Sequence, residues 1–206
     1  MELQAHYDQF FREGVRALET GTYTINELLY ADLDQRYGIT LLTRPDKAIR
    51  TSIRQFLETF KAIDPNQYYY PDSDIHVTIL SIISCYEGFQ LNQVNPAAYA
   101  AIIGEVLRNQ PPCTLEFRGI TLSPAAIMLR GFVSGDALNY VRDRLRAAFK
   151  RSGLEHSIDE RYAIFTAHST VVRYRQKLAN PAAWLQKIRE NETFYFGKQE
   201  LNSMEL

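Results

Sequence analysis

The feature that most constrains this chain is a short segment that occurs twice. Ile75-His76-Val77-Thr78-Ile79-Leu80 is answered later by Ala167-His168-Ser169-Thr170-Val171-Val172. In an extended strand, side chains two apart share a face, so His76 and Thr78 point one way while Ile75, Val77 and Ile79 point the other. The second copy sets His168 and Thr170 against Ala167, Ser169 and Val171. Each strand thus buries an apolar side and shows an imidazole and a hydroxyl to whatever lies over the sheet. Two such strands side by side can close on one small anionic group from both flanks.

The elements around the two copies follow the same order. Asp46 and Asp136 each open a helix, with inward positions Ile49, Ile53, Phe56, Leu57 and Phe60 in the first and Leu138, Val141, Leu145 and Phe149 in the second. A His-x-Thr strand follows at nearly the same interval. After it comes a helix opening Asn-Pro-Ala-Ala-aromatic, at Asn95 to Tyr99 and again at Asn180 to Trp184. Asparagine suits the N-cap and proline the first helical position. Further strands are expected at residues 38–43, as a hairpin about Ser123-Pro124, and from Thr193 onward. The strand holding His168 is expected over 162–174. This degenerate duplication predicts an α+β, bilobal fold over residues 36–206, with pseudo-twofold duplicated antiparallel sheets and flanking helices around a central cleft. Residues 1–35 are expected to form an N-terminal helical extension, with Leu3, Tyr7, Phe10, Val15 and Leu18 on one face and Gly21 as its stop. His6 reads there as a surface or packing histidine. The tail after Thr193 is short, which leaves open whether the last strand completes a sheet.

Composition bounds the chemistry. A net charge of -1 gives no broad basic face for long double-stranded nucleic acid, while a small phosphate ligand or a short RNA end remains compatible. Cys85 and Cys113 are too few for a disulfide framework and lie in no metal-spaced cluster. No membrane span or leader is evident, and a cytoplasmic, monomeric protein without cofactor or metal is expected. His-x-Thr is not a zinc pattern, and neither a nucleophile elbow nor a glycine-rich phosphate loop is present.

On His76-Val77-Thr78-Ile79 and His168-Ser169-Thr170-Val171, with the order of elements from Tyr37 onward, the chain resembles the two-histidine phosphoesterase superfamily. That group includes the 2'-5' RNA ligase-like (LigT-like) proteins and cyclic phosphodiesterases. The resemblance implies metal-independent chemistry on 2',3'-cyclic phosphates or 2'-5' linkages of a nucleotide or RNA end, with the two motifs facing each other across the cleft. The residues allow the same chemistry. Opening a cyclic phosphate needs a base for water and an acid for the departing oxygen, and histidine serves as either near neutral pH. His76 and His168 are therefore the expected catalytic pair, in undecided order, and Thr78 and Thr170 the expected phosphate clamps. Two other readings stand beside this one: a binding module for a nucleotide or RNA end without turnover, and an enzyme of the same fold acting on a non-RNA phosphodiester.

Further residues are expected nearer the edge of the site. Arg130 could add positive charge near the phosphate. Tyr162 and Tyr174 share the parity of His168 and could stack a base. Arg173 and Arg175 have the opposite parity and reach the cleft only if the strand ends or twists. Tyr68 to Tyr70 could line the cleft mouth. Arg142, Arg144, Arg146, Lys150 and Arg151 read as the wet face of an amphipathic helix.

Overall fold

A computed structural model describes residues 3–30, 34–108, 110 and 112–206. Helices α1 (Leu3–Thr20), α2 (Lys47–Lys61), α3 (Pro96–Leu107), α4 (Ala137–Ser152) and α5 (Pro181–Glu190) pack around two antiparallel sheets. The first sheet pairs β1 (Arg36–Thr43) with β3 (Val77–Glu87). The second contains β2 (Tyr68–Tyr69), β6 (Ser169–Arg173), β5 (Ala126–Val133), β4 (Thr114–Ser123) and β7 (Tyr195–Glu200), in that spatial order. Among the described residues no helix is long and apolar enough to cross a membrane.

Local chemistry explains where the helices begin. The Asp46 carboxylate accepts the Ile49 amide at 2.9 Å, and the Asn95 and Asn180 side chains accept the amides of Ala97 and Ala183 ahead of Pro96 and Pro181. Asp136 differs from Asp46, since it makes no cap bond and takes the Asn139 amide side chain instead.

The two lobes interleave. Helix α2 comes from the first half, yet Phe56 meets Phe194 and Phe196 beside and on β7, and Phe60 meets Trp184 of α5. Helix α4 comes from the second half, yet Phe149 meets Tyr99 of α3 and Arg142 bonds to β3. Each half therefore lends its first helix to the other half's sheet. The C-terminal tail also links the sheets. Beyond β7 on the second, Glu205 exchanges backbone hydrogen bonds with Leu42 of β1 on the first.

Strand β3 departs from plain alternation. Against β1 its register slips so that Leu42 opposes Thr78, Leu41 opposes Leu80, Thr40 opposes Ser81 and Ile39 opposes Ile83. The extra residues, Ile79 and Ile82, are bulges, and a bulge re-aims the side chains that follow it. As a result Thr78, Ser81 and Ser84 are only half-buried while Ile79-Leu80 and Ile82-Ile83 are buried as pairs. The sequence carries this as a period of three, one hydroxyl followed by two apolar residues.

Helix α1 lies on the second sheet. Met128 opposes Thr170 in the β5–β6 ladder, so Met128, Arg130 and Phe132 share the face of Thr170. Over that face, Asp8 bonds to Arg130 at 3.0 Å and the Tyr7 ring meets Phe132 edge-on at 5.5 Å. The Tyr7 hydroxyl donates to the Gly131 carbonyl and accepts the Ala167 amide, one residue from His168. Gly14 allows the close approach, because a Cβ there would collide with Leu122 of β4.

Candidate active site

The two histidines sit immediately ahead of β3 and β6, each fixed by its Nδ1. His76 Nδ1 lies 2.6 Å from the Asp74 carbonyl oxygen. A carbonyl only accepts, so Nδ1 carries the proton and Nε2 is left for the cleft. His168 Nδ1 lies 2.7 Å from the hydroxyl of buried Thr166, a contact that fits either tautomer. Burial pushes the His168 imidazole down from its ordinary 6.5 to about 4, helped by the positive charges of Arg142 and Arg173 and by those of His76 and His6 when protonated. Thr78 and Thr170 are half-buried, and neither hydroxyl bonds to another described residue.

Arg142 ties the two motifs together, and sequence reasoning missed it. It is fully buried. Its Nε donates to the Ile79 carbonyl at 2.8 Å, and its Nη2 donates to the carbonyls of Thr78 at 3.0 Å and Thr166 at 2.7 Å. One guanidinium thereby satisfies backbone acceptors of β3 at its first bulge and of the segment leading to His168. Burial pulls Arg142 down to about 10, which leaves it cationic at neutral pH. The expectation of a wet face fails here, because α4 is covered by the partner half's sheet and its Arg142 turns inward. Arg146 is partly drawn in as well, gripping Asp159 at 2.6 Å and the Ile164 carbonyl at 3.0 Å.

Other expected residues fall in different places. Arg130 is buried beneath α1 and paired with Asp8 at 3.0 Å and Glu192 at 3.6 Å, so its charge is already partnered by carboxylates. Tyr174 is wholly buried between Tyr23 and Trp184, in the core. The cause is a bulge in β6, where Ile127 opposes Val172 but Met128 opposes Thr170. That bulge inverts the parity beyond it and sends Tyr174 inward. It also turns Arg173 to the face of Thr170, where Arg173 Nε donates to the Tyr70 hydroxyl at 2.9 Å. The strand is shorter than expected, and residues 162–168 precede it. Tyr162 is 69% exposed and lines a groove with Thr78. His6 packs at 4.2 Å from Phe10 and 4.4 Å from Phe165, close enough to His168 to act on it.

No protein-family model matches the chain, and no curated protein does. Solved structures do match. A structure described as a phosphoesterase superposes with TM-score 0.51 at 15% identity, covering 80% of this chain and 83% of the other. TT0787 of Thermus thermophilus gives 0.51 at 12% identity, over 82% and 86%. E. coli LigT complexed with 3'-AMP gives 0.50 at 13% identity, over 80% and 83%. The chain has a LigT-like α+β fold. Within it, α1 lies on the face of the second sheet that carries Thr170, and Arg142 joins the motif strands.

Proposed function

We propose that the protein is a metal-independent phosphodiesterase acting on a 2',3'-cyclic phosphate or a 2'-5' linkage of a nucleotide or RNA end. The observation that carries the reading is the matched pair of histidines, each oriented through Nδ1 and each followed two residues on by a threonine hydroxyl that bonds to no other described residue. In this mechanism the phosphorus lies between the imidazoles. Thr78 and Thr170 donate to its non-bridging oxygens, each bond worth roughly 1.5–3 kcal/mol when the acceptor is charged. Arg173, brought to the same face by the β6 bulge, adds charge. His168, held neutral by burial among cations, takes the proton from the attacking water. His76, whose Nδ1–H is committed to Asp74, gives a proton from Nε2 to the departing oxygen. General acid–base help of this kind contributes about 10²- to 10⁴-fold.

The test is hydrolysis of nucleoside 2',3'-cyclic phosphates and 2'-5' oligonucleotides in EDTA. Turnover insensitive to EDTA, reduced at least about a hundredfold in His76→Ala and in His168→Ala, is the expected result. The fold neighbour LigT was solved with 3'-AMP, which makes that nucleotide the first probe for binding. Binding of 3'-AMP without turnover of any substrate would replace the enzyme by a binding module.

A further inference from the structure

We infer that the groove running from Thr78 along β3 holds the nucleoside attached to the reacting phosphate, so that the substrate lies over the first sheet and not the second. This rests on the phosphate site proposed above. The groove encloses about 230 Å³, less than the roughly 300–1,000 Å³ of pockets that take drug-sized ligands. It has room for one nucleoside and not for an extended strand.

Its floor is built for polar contact. Thr78, Ser81 and Ser84 line it with Thr40 from β1, in one row created by the bulges at Ile79 and Ile82. None of these four hydroxyls bonds to another described residue, and each can both donate and accept. Ribose hydroxyls and base edges are the matching chemistry. The rim supplies an aromatic face in exposed Tyr162 and a cation in Arg161.

The wall of the groove is held in place by the bulged strand itself. Ser157 donates its amide to the Ile82 carbonyl at 2.9 Å, its hydroxyl accepts the Ser84 amide at 2.8 Å, and Arg161 donates to the Cys85 carbonyl at 2.9 Å. Asp159 is clamped by Arg146. Backbone groups that a regular partner strand would have used instead fix the segment that carries Tyr162. On the opposite side, α1 covers the face of β5 next to Thr170, so a substituent on the phosphate cannot lie over β5 as it can over β3.

The experiment compares adenosine 2',3'-cyclic phosphate with ethylene phosphate, which has the same five-membered ring and no nucleoside. The readout is the ratio of their kcat/KM values in wild type, Tyr162→Ala and the double variant Ser81→Ala/Ser84→Ala. Stacking and hydroxyl contacts predict that the ratio falls roughly tenfold in each variant. An unchanged ratio in both variants would overturn the groove while leaving the two-histidine reading intact. Should neither substrate turn over, calorimetric binding of 3'-AMP decides. Affinity lost in Tyr162→Ala supports the groove although the catalytic reading has failed, and affinity unaltered by Tyr162→Ala, or no binding to wild type, overturns it.

Discussion

The inner face of β1 and β3 and the inner face of the five-stranded sheet receive the same His-x-Thr motif, yet the first is open and the second is roofed. Side chains beyond the motif make the difference. On β3 the bulges keep Thr78, Ser81 and Ser84 in a row, small and wet. On β5 the corresponding face carries Met128, Arg130 and Phe132, and α1 settles on them through Asp8 and Tyr7. A duplicated frame can thus keep two equivalent histidine positions while the surfaces leading to them become different. On the function proposed above, the chemistry would use the symmetry and recognition of the nucleoside its loss.

The most severe way to break this comparison is to remove what holds the two faces in register. Arg142→Met leaves the carbonyls of Thr78, Ile79 and Thr166 without their buried donor. At about 1–3 kcal/mol for each unsatisfied buried group, a loss of roughly 3 kcal/mol or more in unfolding free energy is expected in urea titration. Arg142→Lys should recover only part of it, since an ammonium cannot reproduce the planar fork.

A smaller loss is expected under the roof. Tyr7→Phe removes a buried hydroxyl that serves the Gly131 carbonyl and the Ala167 amide, and about 1–3 kcal/mol should go. The denaturation midpoint measures it. Affinity for 3'-AMP in the open groove should change far less, and an equal fall in both would mean that the two faces are coupled.

The His168 shift predicts a pH dependence of stability. Its pKa is lower in the folded protein, near 4 against an ordinary 6.5, so the unfolded chain binds the extra proton between those values. His168 therefore costs nothing above about pH 6.5, and stability falls as pH drops toward 4, by up to about 1.4 kcal/mol per pH unit. His168→Gln should flatten that slope in a series of urea melts. The least effect belongs to Glu19→Gln, which removes an exposed ion pair between α1 and Arg189 of α5. A change of no more than about 1 kcal/mol in the same assay is expected.

Much of this fold is written in local signals. Asp46, Asn95 and Asn180 announce their helices through side-chain chemistry that needs no partner strand, and the apolar spacing of Ile49 through Phe60 declares which face turns inward. The two His-x-Thr segments could be read in a similar way, because strand parity follows from sequence wherever no bulge intervenes. What was not legible depends on two strands at once. The bulge in β6 is a property of its pairing with β5, and it sends Tyr174 into the core and Arg173 to the face of Thr170. Arg142 reads as surface because arginine on a helix usually is, and only the crossing of α4 onto the other half's sheet turns it inward. The period-three run Thr78-Ile79-Leu80-Ser81-Ile82-Ile83-Ser84 was a readable sign of repeated bulging.

The exchange of α2 and α4 between the lobes bears on how such a chain can arise. A single half on its own would leave its sheet without the helix that covers it and its helix without the sheet it covers. Two identical copies could repair both defects by trading that helix, giving a symmetric dimer whose interface is the same packing now found within one molecule. Fusion of the genes would then preserve every contact while freeing each half to diverge.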